Sequence, residues 1–279
     1  MADINTLNKV QDLQLADTFG LSAQKLVEMF GGAEMIPANP GETLKVRKIT
    51  GILSTETYTE GAVIPASAYT TEDVTTKEIE LKPYRKPTTL QEIQKRGYDV
   101  AVDSTDRKVL SDIQKKVKDD FMAALATGTG TASGTDMLKA AAKAWATLQN
   151  GVEEYGFGDV TPIFYANPTD FADVVGKSEV FSAFGMQYIQ GWAGLGNLVS
   201  TSAVPAGTLY CTAVENIKVY YIPASNSEGF AFTQDESGVV AVAHEMHTDS
   251  LSIDTVAWTA ITPFPEYADL VVKATIAAA

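Results

Sequence analysis

The stretch that most constrains this chain is a long polar finger that cannot hold itself together. Leu44, Val46 and Lys48 alternate with Lys45, Arg47 and Ile49, a strand of imperfect period two. Lys77-Glu78-Ile79-Glu80-Leu81-Lys82 alternates in the same way. Leading from one into the other is the run 54–78, STETYTEGAVIPASAYTTEDVTTKE, with one small apolar patch at Ala62-Val63-Ile64-Pro65. β-branched threonine favours extended backbone, so residues 44–82 read as a two-stranded finger with a polar tip. An isolated hairpin is marginal in water, and a long segment without its own core is either functional or disordered. Strand-like residues on both flanks favour order. The burial problem is solved if the finger lies across another subunit.

Charge supports the same picture. The chain nets −14, so as a whole it does not attract nucleic acid or an anionic membrane. Residues 45–127 nevertheless hold 14 of the 21 basic side chains, while residues 128–279 carry five basic and sixteen acidic ones. Mixed surface charge and helical ion pairs explain part of this. A basic arm meeting the acidic body of an identical neighbour explains more, because complementary charge steers assembly and fixes register. The inter-subunit contacts expected of such an arm are Lys45, Arg47, Lys48, Tyr58, Tyr69, Lys77, Lys82, Arg85 and Lys86.

The rest of the chain reads as mixed α and β. Residues 1–20 form an extended arm, and Ser22 opens a short helix that Gly31-Gly32 stops. Leu110, Ile113, Val117, Phe121 and Leu125 mark one face of a helix of about six turns, with Asp103-Ser104-Thr105-Asp106 supplying its capping oxygens. A second helix starts at Thr135 or Asp136, places Leu138, Ala142, Trp145 and Leu148 on one face, and ends at Asn150-Gly151. Ile163-Phe164-Tyr165 is a buried strand, and Asn167-Pro168-Thr169-Asp170 is a helix start. Residues 208–212 and 217–222 form a hairpin or meander, and the last 50 residues are strand-rich. With 279 residues and 45% of them hydrophobic, the chain can bury a sizeable core. No apolar run approaches the ~20 residues that cross a bilayer, and nothing reads as a secretory signal.

Chemistry is harder to find. His244-Glu245-Met246-His247 holds the only two histidines, three apart in a strand-like stretch, where they face opposite ways. Metal binding is rejected on that geometry, and surface or edge-strand histidines are expected instead. Gly191-Trp192-Ala193-Gly194-Leu195-Gly196 has neither dinucleotide spacing nor a phosphate-loop lysine. Cys211, the single cysteine, reads as a buried apolar filler. No cofactor, metal or catalytic set is expected.

The order of these parts resembles the major capsid proteins of tailed double-stranded-DNA bacteriophages, whose fold encapsulin nanocompartments share. The likeness rests on the arm, the Thr-rich finger, the long helix, Ile163-Phe164-Tyr165-Ala166-Asn167-Pro168-Thr169-Asp170-Phe171, Val204–Tyr210 and the closing Tyr267–Val272. It implies an α+β capsid fold: residues 1–43 as N-arm and short helix, 44–86 as extended loop, and 87–134 as peripheral domain with spine helix. Residues 135–228 are then the axial domain, and 229–279 the return strands. It further implies pentamers and hexamers closing an icosahedral shell around DNA bound without sequence preference, in a virion assembled in a host bacterial cytoplasm. Partners implied are the chain itself, a separate scaffolding protein, a portal and head-completion proteins, with no membrane. An encapsulin-type compartment and a β-rich binding module are the alternatives.

Overall fold

The computed structural model of the protein describes residues 30, 33, 35–57, 59–61, 63–156, 158–172, 181–183, 186–192, 194–224, 232–234 and 238–277. The expected arm over 1–20 and the helix opening at Ser22 lie outside the described residues. Strand β1 (Met35–Pro37) precedes the hairpin of β2 (Thr43–Ile52) and β3 (Ala68–Glu78), then β4 (Lys82–Thr89) and helix α1 (Leu90–Arg96). A π-helical turn, Asp99–Asp103, runs into the long helix α2 (Ser104–Leu125). Strand β5 (Gly130–Gly134), helix α3 (Met137–Tyr155), strand β6 (Pro162–Ala166) and helix α4 (Pro168–Phe171) follow. Strands β7 (Phe181–Ala183), β8 (Met186–Trp192), β9 (Gly196–Ser200), β10 (Thr208–Ala213) and β11 (Ile217–Tyr221) come next. The chain closes with β12 (Thr233–Gln234), β13 (Val240–His247), β14 (Ser252–Thr259), β15 (Thr262–Pro265) and β16 (Val272–Ile276).

Among the described residues the strands form four sheets. The largest runs β5-β16-β10-β6-β9-β8-β7, with β5/β16 and β6/β9 parallel and the other pairs antiparallel. Its central strand β6 is buried at every residue, and alternation divides it between two cores. Ile163 and Tyr165 join the core that holds Leu110, Ile113, Val117, Phe121 and Leu125 of α2. Phe164 and Ala166 join the core that holds Ala140, Ala144, Leu148 and Val152 of α3. The expected stripe on α2 is therefore the one the fold buries, each large side chain contributing roughly 1.5–3 kcal/mol.

A second sheet, β12-β13-β14-β4, lies against the start of α2, and a third joins β1, β11 and β15. Strand β10 sits in the largest sheet and β11 in the third, so the expected hairpin or meander of 208–212 and 217–222 does not form. The expected buried face of α3 is also corrected. Leu138 and Trp145 are exposed, and Met137, Ala140, Ala141, Ala144, Leu148 and Val152 face the sheet. Alanine lets helix and sheet backbones approach closely, so the small residues mark the contact. The helix passes through Asn150-Gly151 and stops at Gly156, whose φ of 68° is the left-handed conformation that glycine enters freely. At the start of α2, Asp103 makes no capping bond; the π-helical turn already continues the backbone there. Asn167 behaves as expected, accepting a bond from the Thr169 amide ahead of Pro168.

Candidate intersubunit surface

Among the described residues the hairpin of β2 and β3 forms its own two-stranded sheet, and its base packs against the rest of the chain. Val46 is buried, and Leu44 packs against the core formed by Ile79, Ile222 and Trp258. Beside it, Lys48 donates to Asp269 at 2.9 Å, and its ammonium lies 4.3 Å from the ring centre of Tyr155. Tyr155 also donates to Asp269, and Tyr267 donates to the carbonyl of Arg47 at 3.2 Å. Hydrogen bonds to Tyr155 and Asp269 hold the Lys48 ammonium above its usual range. Burial and the Asp269 carboxylate push the Tyr155 hydroxyl up to about 12. Burial alone raises the Asp269 carboxyl, but bonds from Tyr155 and Lys48 outweigh it and hold it low. None of these partners is near the finger in sequence, so no local pattern pointed to them.

Beyond the base the ribbon holds itself. Arg47 and Lys45 reach Asp73 across the strands at 3.1 and 3.9 Å, and the Thr50 and Thr70 hydroxyls meet at 3.0 Å. Tyr69 lies so close over Gly51 that a Cβ there would fall 2.0 Å from its ring. Glycine is the residue this cross-strand pair permits. The amide of Ser54 donates to the Ser67 hydroxyl at 3.0 Å and closes the tip. Ten extended residues in β2 give the arm a length of roughly 30 Å. At its end Ile52, Leu53, Val63 and Ile64 stand in solvent, Val63 at 94% exposure and Ile64 at 76%. Apolar side chains gathered at a projecting tip mark an interaction surface.

Most of the basic residues expected to reach a neighbour already have partners within the chain. Besides Lys45, Arg47 and Lys48, Lys82 pairs with Asp120 at 2.7 Å, Arg85 donates to Asp254 at 2.6 Å, and Lys86 pairs with Asp106. Lys82, Arg85 and Lys86 belong to β4 in the four-stranded sheet, beyond the ribbon. Tyr69 and Lys77 are exposed on β3, and Tyr58 lies outside the described residues. The tip itself, residues 53–67, carries Glu56 and Glu60 and no lysine or arginine. The apolar tip, visible in the sequence only as a small patch, is thus the open part of the arm.

The histidine expectation is corrected in part. The side chain of His244 is 4% exposed and sits 2.8 Å from Asp106, which also accepts from Lys86 and from Thr255 at 2.9 Å. His247 turns to the other face, 3.3 Å from Asp254. One histidine is therefore a buried link between β13 and α2, while the other lies at the sheet end. Cys211 is fully buried, and burial pushes its thiol far above the usual range.

No protein-family model matches the sequence, and no curated protein matches it either. Solved structures do match. The capsid asymmetric unit of cyanophage A-1(L) aligns over 90% of this chain and 92% of its own, with a TM-score of 0.56 and 12% identity. The capsid of an empty GTA particle covers 92% and 90%, with a TM-score of 0.55 and 10% identity. The holo-SrpI encapsulin complex from Synechococcus elongatus covers 90% and 86%, with a TM-score of 0.52 and 10% identity. The chain has the α+β fold shared by phage major capsid proteins and encapsulins.

Proposed function

We propose that this chain is a structural shell subunit that assembles with copies of itself, through pentamers and hexamers, into an icosahedral virion capsid around double-stranded DNA. The single observation that carries the reading is the projecting, apolar-tipped ribbon on a chain with the capsid fold. A two-stranded ribbon is marginal in water, and exposing four large apolar side chains at its tip adds nothing to the stability of one copy. Burying each against a neighbour returns roughly 1.5–3 kcal/mol. In this reading the ribbon lies over an adjacent subunit, with Tyr58, Tyr69 and Lys77 joining the contact. Lys48 anchors the base through Asp269, and the other basic residues complete the interface where neighbours approach.

The role is structural and needs no cofactor. A net charge of −14 disfavours adhesion of DNA to the wall, so the genome is enclosed without being gripped. A scaffolding protein, a portal and head-completion proteins are the partners such a shell uses, and assembly takes place in a host bacterial cytoplasm. Among the described residues no helix is long and apolar enough to cross a membrane.

The test replaces residues 53–67 with Asn-Gly, a two-residue turn that closes a hairpin. Sedimentation of purified protein is expected to show large particles for the wild type and only subunits or small rings for the shortened chain. Particles of equal size from both proteins would remove the ribbon tip from assembly.

A further inference from the structure

We infer that Pro83 and Pro87 close the free edge of β4 against a strand from a second copy, so that copies of this chain do not zip into a continuous sheet. Strand β4 ends the four-stranded sheet, and among the described residues no strand lies beyond it. An edge strand shows a row of open N–H and C=O groups to any strand that approaches. Register identifies these groups in β4. The amide of Leu90 donates to the Leu251 carbonyl at 2.8 Å, one residue past the Thr89–Ser252 pair. Hydrogen-bonded pairs alternate along an antiparallel ladder, so Lys82, Tyr84, Lys86 and Thr88 point their backbone groups at β14. Pro83, Arg85, Pro87 and Thr89 point theirs outward. Two of these outward positions thus hold proline, which has no N–H to donate. Arg85 and Thr89 keep theirs, but no two successive outward donors remain. A strand added here meets an empty position at each proline and leaves its own carbonyl unmet.

A second edge shows a different use of proline. Strand β15 ends the sheet of β1 and β11. The Glu266 amide donates to the Asn216 carbonyl at 2.7 Å, which puts Pro263 and Pro265 at outward positions. Both are buried there, and α2 packs against the strand. An N–H at either would be buried with no strand to receive it, so proline spares the fold an unmet donor. Burial does not account for β4, where Pro83 and Pro87 are exposed. Water satisfies an N–H at an exposed edge. Proline also fixes φ at about −65°, away from the roughly −140° of an antiparallel strand, so the ladder does not select it. What the two prolines change is the reception of another strand. The chain carries strands to be kept off: β2 and β3 run ten and eleven residues without a proline. Among the described residues they pair only with each other, which leaves each with one free edge. A ribbon strand added to β4 of the next copy would repeat head to tail, and such a contact grows fibres when it does not close.

The experiment restores both N–H groups with the double variant Pro83→Thr/Pro87→Thr. The purified subunit is incubated beside the wild type and Ala144→Leu, all at one concentration. Ala144→Leu keeps both prolines and is destabilised by overpacking, so it shows what instability alone does. The double variant is expected to give thioflavin-binding fibres with a strand spacing of about 4.8 Å. Its thioflavin signal should rise at least about tenfold faster than that of the wild type, while Ala144→Leu forms no fibres. A double variant that behaves as the wild type overturns the closed edge. Fibres from the double variant and from Ala144→Leu alike trace to instability and overturn it as well.

Discussion

Asp106 is the residue that ties the four-stranded sheet to α2. Its side chain is 2% exposed and links β4, β13 and β14 to α2 through Lys86, His244 and Thr255. Burial alone raises its carboxyl, but bonds from His244 and Lys86 outweigh burial and hold it below the ordinary carboxylate range. A group held low in the folded state binds fewer protons than in the unfolded chain. Its contribution to stability is therefore complete above the unfolded value of about 4 and fades as pH falls through the lower folded value. Denaturant unfolding of the unassembled subunit is expected to weaken below about pH 4, and Asp106→Asn to flatten that dependence. At neutral pH the same substitution takes the carboxylate away from Lys86, which keeps only its bonds to the Val102 carbonyl and the Thr105 hydroxyl, and costs about 3 kcal/mol. Equal acid slopes in the two proteins would contradict this account. None of it was legible in the sequence, where Asp106 reads as a first-turn acid and His244 as a surface histidine. The partners are 20 and 138 residues away, and the π-helical turn that moves the helix start upstream has no signature in residue type.

At the scale of elements, legibility followed the size of the side chains that pack. Helix α2 was readable because its buried stripe is built of Leu, Ile, Val and Phe at helical spacing. Helix α3 was misread because half of its contact face is alanine, while the large Trp145 looks outward. This gives a reversed expectation for substitutions. Ala144→Leu overpacks the helix–sheet contact and should cost about 1–3 kcal/mol, whereas Trp145→Ala should cost clearly less. Thermal unfolding of the two variants decides it, and a larger loss for Trp145→Ala would contradict the packing described. The ribbon was legible as a finger because alternation and threonine content survive without any core. Its anchor was not, since Tyr155, Tyr267 and Asp269 meet Arg47 and Lys48 only in three dimensions. Those pairs are partly exposed, so Asp269→Ala should change global stability by less than about 1 kcal/mol. It should instead speed hydrogen exchange in residues 43–48, the base of β2. Unchanged exchange there would mean that Val46 and Leu44 alone hold the arm.

For the whole molecule, the order of parts carried more information than any motif. A polar finger, a long helix, a buried strand running into Asn-Pro and a strand-rich end specify an architecture that solved capsid structures share at 8–13% identity. Surface chemistry was less readable, because most of the basic residues that suggested an arm gripping a neighbour are paired within the chain, and the large side chains open at its end are apolar. The central claim is that this surface closes many copies into a shell. Negative-stain electron microscopy of the protein, expressed alone and together with a candidate scaffolding partner, tests it most directly. Closed particles, or rings of five and six subunits, are the predicted result. A monodisperse monomer under both conditions would contradict the claim and leave the ribbon as a grip for some other ligand.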